Sequence, residues 1–292
     1  MSAVRPSAPG PVAAAEAATP ALPGVLPLGI HRIRYEVRRY FRQSDTVIFT
    51  FLFPVIMLSI FSVAFGSAGN LGTAPDGSGG VSAAAYYLPG MIAAGILLSG
   101  VQNLAVDIAM ERSDGTLKRL AGSPLPVLSY FIGKAGQVIA TSVLQVLVLL
   151  LVARFAFGVE LPTDAGRWVT FAWVYALGIT TSAVLGIALS RIPRSGASAT
   201  AVITPIVLVL QFISGVYLAF TMLPTWLQDV ASFLPLKWMA QGMRAVFLPD
   251  ALAAVERGGA WDLGGVLAVL AIWLVGGTIA AMATFRWIRR DS

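Results

Sequence analysis

LPTWLQDVASFLPLKWMAQGMRAVFLP, residues 223–249, decides how many times this chain crosses a membrane. The stretch is apolar enough to suggest a span. Pro224, Pro235 and Pro249 nevertheless divide it into two pieces, each shorter than the roughly 20 residues a helix needs to cross a bilayer core. It reads as two short helices dipping into the outer leaflet, with Trp226 and Trp238 at headgroup depth, because irregular backbone at membrane depth must pack against protein or a cavity. A plain external loop would carry less apolar surface.

Working outward, six blocks are long enough to cross: residues 46–66, 86–109, 130–153, 167–190, 199–220 and 263–285. With a cytoplasmic N-terminus, the inside collects Arg5, Arg32, Arg34, Arg38, Arg39, Arg42, Arg112, Lys118, Arg119, Lys134, Arg191, Arg194, Arg286, Arg289 and Arg290. Arg154, Arg167, Lys237, Arg244 and Arg257 fall outside. Fifteen of the 20 Lys and Arg on one side is the positive-inside pattern, which sets both termini in the cytoplasm and requires an even number of crossings. Counting residues 223–249 as a seventh would carry Arg286, Arg289 and Arg290 to the wrong side. The expected fold is an all-α integral membrane protein of the bacterial cytoplasmic (inner) membrane.

Composition agrees: 57% of the 292 residues are hydrophobic and 12% charged, against roughly 45–50% and about 25% in soluble proteins. The net charge of +6 lies between the apolar blocks rather than in one patch, which argues against a nucleic-acid surface. With no cysteine, disulfides and thiolate metal sites are excluded. Residues 1–27, rich in Ala and Pro, read as a disordered tail whose prolines interrupt any secretory signal. Residues 28–45 follow as an amphipathic helix on the membrane surface: Ile30, Ile33, Val37, Tyr40 and Phe41 recur at helical spacing while Arg32, Arg38, Arg39 and Arg42 lie largely elsewhere around it. Residues 46–292 form the transmembrane domain.

Much enzyme chemistry is missing. His31 is the single histidine and sits in the arginine-rich helix; there is no HExxH and no GxSxG. Gly133-Lys134 lacks the glycine five residues earlier that a P-loop requires, since position 128 is Leu128. No catalytic residue, bound metal or cofactor is expected on this chain. Asn103, Asp107 and Glu111, spaced by four, share one helix face. That face reads as a helix ending in water rather than as a proton relay, on the expectation that no cationic partner sits in a neighbouring block at its depth.

The segment between the second and third blocks is MERSDGTLKRLAGSPLPVLSYFIGK, residues 110–134. It reads as a surface helix of two to three turns, broken near Gly115 and stopped at Ser123-Pro124. Leu117 and Leu120 anchor one face, and Glu111, Arg112, Asp114, Lys118 and Arg119 point to solvent or to a partner. In the fourth block, Gly178, Ser182, Gly186 and Ser190 place a small residue at every fourth position, which lets helix backbones approach.

The inner segment resembles that of ABC-2 type transporter permeases, in which a Glu precedes Gly-Thr-Leu, a basic pair and Leu, then Ser or Thr with Pro. Here these are Glu111, Gly115-Thr116-Leu117, Lys118-Arg119-Leu120 and Ser123-Pro124. The likeness extends over residues 212–244, with Ser214-Gly215, Pro224, Trp226, Pro235, Trp238 and Arg244 in matching places, and departs at Ala219, where many members carry Pro. The resemblance, to a family that includes daunorubicin-resistance-like drug and lipid exporter permeases as well as polysaccharide exporters, implies the permease half of an ABC exporter with no ATPase motif of its own. Two permease chains, identical or homologous, would pair with two copies of a cytosolic ABC ATPase that holds ATP and Mg, and Glu111 to Pro124 would be the coupling helix. Gln102, Asn103, Gln211 and Ser214 are the expected polar groups of a substrate path whose apolar walls suit an amphipathic drug or lipid, and antibiotic efflux is the expected role. The competing readings are a membrane-embedded lipid-modifying enzyme, for which Asp107 and Glu111 are the nearest acid pair, and a proton-coupled secondary transporter. Pro54 and Pro205 interrupt two blocks, yet no repeat joins them.

Overall fold

The computed structural model describes residues 24–67, 69–71 and 80–284. The described residues contain six helices long and apolar enough to cross a membrane, as the apolar blocks require. An amphipathic helix α1 (Val25–Phe41) leads into α2 (Ser44–Gly66); α3 (Ala83–Ser113) is followed by a short α4 (Thr116–Ala121) and by α5 (Val127–Phe157). Then come α6 (Ala165–Leu189), α7 (Gly196–Ile213), the short pair α8 (Thr225–Ser232) and α9 (Pro235–Phe247), and α10 (Leu263–Thr284). The expected tail loses Val25 to Pro27, which are helical; residues 1–23 lie outside the described residues, as do Arg286, Arg289 and Arg290.

Helix α3 is the axis of the bundle. In its most apolar window 83% of residues are buried, against 17–39% for the other spans. Helices α2, α5, α6 and α9 surround it. Its middle, Leu98–Asn103, is a π-helical turn, and Gly100 there meets α6 so closely that a Cβ would fall 2.4 Å from Ser182 Cβ. A polar chain ties three spans together at this level: Ser99 Oγ donates to Gln145 Oε1 (3.0 Å), Gln145 Nε2 to the Thr50 carbonyl (2.9 Å) and Asn103 Nδ2 to Thr50 Oγ1 (2.8 Å). Such bonds satisfy polar groups that lipid cannot.

The stretch 223–249 forms two short helices and no span. Helix α9 is buried almost throughout, with Leu236, Met239, Ala240 and Met243 fully enclosed. Of the two tryptophans expected at headgroup depth, Trp226 is 65% exposed. Trp238 is packed inward instead: its Nε1 donates to the Ser232 carbonyl (2.7 Å) and its ring lies against Gly265. The fifth span ends at Ile213 rather than at 220, because Gly215 takes a left-handed φ of +75° and turns the chain back so that Tyr217 and Phe220 are buried. The second and third spans run past their expected ends, from 109 to Ser113 and back from 130 to Val127. That extension assembles the site.

Candidate functional site

Helix α1 lies on α5 at the closeness that glycine permits. A Cβ on Gly29 would stand 2.7 Å from Ile132, one on Gly133 2.3 Å from Arg32 Cγ, and one on Gly136 2.4 Å from Ile33. This approach brings Glu36, from the buried side of α1, onto Lys134 of α5. The Lys134 ammonium, its side chain 1% exposed, donates to Glu36 Oε2 (2.9 Å), to Glu111 Oε1 (2.8 Å) and to Asp107. Its three protons thus have three carboxylate partners. Arg39 adds donors to Glu111 and Asp107 and sits 3.4 Å from Glu36; Arg32 pairs with Glu36 at 2.6 Å. The Tyr130 hydroxyl donates to Glu111 Oε2 (2.6 Å).

Three carboxylates thus meet three cations, the condition under which charge survives burial. Burial opposes the Arg39 charge, but Asp107 and Glu111 outweigh it and hold the guanidinium above its ordinary range. The ligand oxygens of Glu36, Asp107 and Glu111 lie within 4.8 Å of one another, a spacing a metal ion could use, and it is Lys134 Nζ that bonds to all three. Two expectations are corrected. Asp107 and Glu111 do have cationic partners at their depth, Lys134 and Arg39, because α1 packs closely on α5 and the second span runs on past 109 to carry Glu111 there. Glu111 does not point to solvent, being 1% exposed. As a device the cluster is a lock: each carboxylate is held by charged donors, an arrangement that resists the cycle of protonation and release needed for relay or acid–base catalysis.

Beyond Glu111 the chain leaves the bundle. Asp114 accepts from the Thr116 amide (2.8 Å), Gly115 supplies a φ of +77°, and α4 runs for six residues, under the two to three turns expected. Leu117 is buried, Leu120 is half-buried, and Lys118 and Arg119 are exposed. Ser123 Oγ donates to the Leu120 carbonyl (2.7 Å) before exposed Pro124 leads towards α5, and Arg112 Nη2 donates to the Pro193 carbonyl (2.7 Å) in the α6–α7 connection.

The remaining expected residues separate into groups. A Cβ on Gly186 would lie 2.2 Å from the Gly100 carbonyl oxygen and one on Gly178 3.5 Å from Met239, while Ser182 meets Gly100 and Ser190 Oγ bonds back to Ile187 (2.7 Å). Gln102 and Asn103 line a cleft of about 230 Å³ where the end of α1, the start of α2 and the later part of α3 meet. Gln211 and Ser214 do not join them. Tyr217 donates to the Gln211 side chain, and Ser214 is fully buried beside Gly215, whose carbonyl accepts from Arg244 (3.0 Å). Sequence reasoning missed Glu36, Arg39, Tyr130 and Lys134. The signal was Glu36 itself, an acid on the apolar side of a basic helix.

A six-span bundle with a short helix projecting from a charge-locked corner defines a polytopic membrane protein. The ABC-2 type transporter family model matches residues 32–248, and the chain belongs to that family. It is 23% identical over 178 residues to the probable multidrug ABC transporter permease YbhR of Escherichia coli (strain K12), covering 61% of this chain and 48% of that one. It is 21% identical over 195 residues to the inner membrane transport permease YadH of the same strain, covering 67% and 74% respectively. The chain thus spans about half the length of the first relative.

Proposed function

We propose that this chain is the permease subunit of an ATP-driven exporter of the bacterial inner membrane, with both termini cytoplasmic, moving an amphipathic drug or lipid outward. A separate ABC ATPase, present in two copies, binds ATP and Mg, and this chain pairs with a second permease, identical or homologous. The names of the relatives support membrane and substrate class: one is an inner membrane transport permease and one a probable multidrug permease.

The observation that carries the reading is the buried ionic cluster, because it joins α1 to the adjoining ends of α3 and α5 within a few residues of α4. A push on α4, delivered as the ATPase closes over ATP, reaches two spans and α1 together instead of dissipating in a loop. Leu117 seats α4 while Lys118 and Arg119 face outward. In this reading Arg112, Asp114, Gly115, Thr116, Leu117, Lys118, Arg119, Leu120, Ser123 and Pro124 form the coupling segment, and Glu111 belongs to the lock behind it.

The test is reconstitution in liposomes with the P-loop ATPase that copurifies with the chain, following ATP hydrolysis and ATP-dependent movement of a fluorescent amphiphile. Replacing exposed Lys118 and Arg119 together by Glu is expected to lower stimulated hydrolysis about tenfold with thermal unfolding unchanged. A chain with which no ATPase copurifies, or hydrolysis indifferent to the double substitution, overturns the reading.

A further inference from the structure

We propose that the cleft between the end of α1, the start of α2 and the later part of α3 binds the charged end of a lipophilic cation, such as an amine or quaternary ammonium carrying a ring and an alkyl chain. This deepens the export reading and rests on it for the fate of the bound cation, though not for binding itself.

Charge is the first ground. The cleft wall carries Glu36, Asp45 and Asp107 with the cation Arg39; Glu36 and Asp107 are balanced within the lock by Arg39, Lys134 and Arg32, which leaves Asp45 as the uncompensated charge. Arg39 is already paired with Glu36, Asp107 and Glu111, so an anionic headgroup would meet carboxylates before a spare guanidinium. Asp45, at the mouth, is exposed and has no cationic partner among the described residues; it accepts only from Ser44 Oγ (3.3 Å).

The second ground is an unspent amide. Gln102 is 7% exposed, lines the cleft and makes no side-chain hydrogen bond among the described residues, whereas its neighbour Asn103 is committed to Thr50. The Gln102 amide is thus free to bond to a ligand that enters the cleft. Its carbonyl oxygen suits an ammonium N–H or the polarised methyl groups of a quaternary centre.

Size and wall chemistry set the rest. At about 230 Å³ the cleft is smaller than the roughly 300–1,000 Å³ of sites that enclose a drug-sized molecule, so it takes the headgroup and a ring. Phe49 and Met110, 42% and 48% exposed, offer a π face and a thioether for that ring. From Phe49 the exposed stripe continues through Leu52 and Ile56 on the same face of α2, giving an alkyl chain a path along the outside of the bundle.

The experiment measures saturable binding of radiolabelled benzyldimethyldodecylammonium to the full chain in neutral phosphatidylcholine nanodiscs, with dodecylbenzenesulfonate as the anionic counterpart. The ammonium is expected to bind saturably and the sulfonate not. Asp45→Asn should raise Kd about fivefold, the upper range for an exposed ion pair, and Gln102→Leu about tenfold, as for a lost bond to a charged group. Asp229→Asn, an exposed carboxylate outside the cleft, should change nothing. Equal binding of the sulfonate, or Kd values within about twofold for both cleft variants, overturns the proposal. Binding needs no ATPase, so cleft binding without ATP-driven movement refutes the export reading alone.

Discussion

Replacing Lys134 by Met removes the most deeply buried cation from a set of three carboxylates and three cations. At an effective dielectric constant of about 20, a unit pair 2.8 Å apart attracts by about 6 kcal/mol before the cost of desolvation. Desolvation of each ion returns much of that, and the net cost of stripping one partner from a buried pair is about 3–5 kcal/mol. Met matches the stem in volume, so the loss is electrostatic. At about 2–4 °C per kcal/mol, thermal unfolding in detergent, followed by the loss of the monodisperse peak, should fall by about 6–20 °C. Removing Glu111 in the same chain, as Lys134→Met with Glu111→Gln, should cost less than the two single changes added, by about 0.5–3 kcal/mol, because neither then leaves the other stranded. An unfolding temperature for Lys134→Met within about 2 °C of the wild type would refute the premise that the buried charges of this corner depend on one another. An Asp107 and Glu111 double substitution leaves Lys134 with Glu36 alone of its three carboxylates, so lost transport in that variant does not diagnose proton coupling.

Gly186→Ala places a methyl 2.2 Å from the Gly100 carbonyl oxygen and should destabilise the protein by about 1–3 kcal/mol, whereas Gly276→Ala, with nothing within 4 Å, should be neutral or gain up to about 1 kcal/mol; parallel melting curves check both. Gly115→Ala meets no neighbour but keeps a φ of +77°, so it should cost about 1–2 kcal/mol and Gly115→Asn less, read from unfolding and from ATPase stimulation together. Lys237 on α9 is buried against Trp238, its Nζ 3.7 Å from the ring centroid, and burial pushes its ammonium down to about 8. The unfolded chain then binds that proton more tightly than the folded one, so this group's contribution to stability rises between pH 8 and the ordinary lysine value of 10.5. Lys237→Met should flatten that rise in unfolding temperature.

The six crossings were legible because each block is one continuous apolar length, and because parity turned the terminal arginines into a test of residues 223–249. Boundaries were harder where polar residues lie inside a helix. Ser113 ends the second span beyond its apolar window because Glu111 is charged and yet buried, and hydropathy counts it as solvent-facing; Lys134 lay inside the expected third block, but nothing local marked it as buried. Helix packing neutralises them with partners 23 and 98 residues apart in sequence, a relation no local window contains. The i, i+4 face of Asn103, Asp107 and Glu111 was legible; what it faces was not. At the other end of the fifth span, Gly215 stops the helix where the apolar run continues, since backbone conformation rather than hydrophobicity sets that limit.

The π-helical turn at Leu98–Asn103 has a consequence for how this gene tolerates change. An α-helix advances about 100° per residue, and a π turn accommodates one residue more than the α ladder would. It absorbs that residue between the half of α3 that packs on α9 and the half that carries Asp107 and Glu111, so that the two halves keep a common helical phase. Loss of a single codon within 98–103 would let the helix relax to a regular ladder and leave both halves intact. Because the turn already absorbs its extra residue, the two acids would keep their direction towards Lys134, so the loss of one codon here is the length change α3 can take with every charged residue still in place.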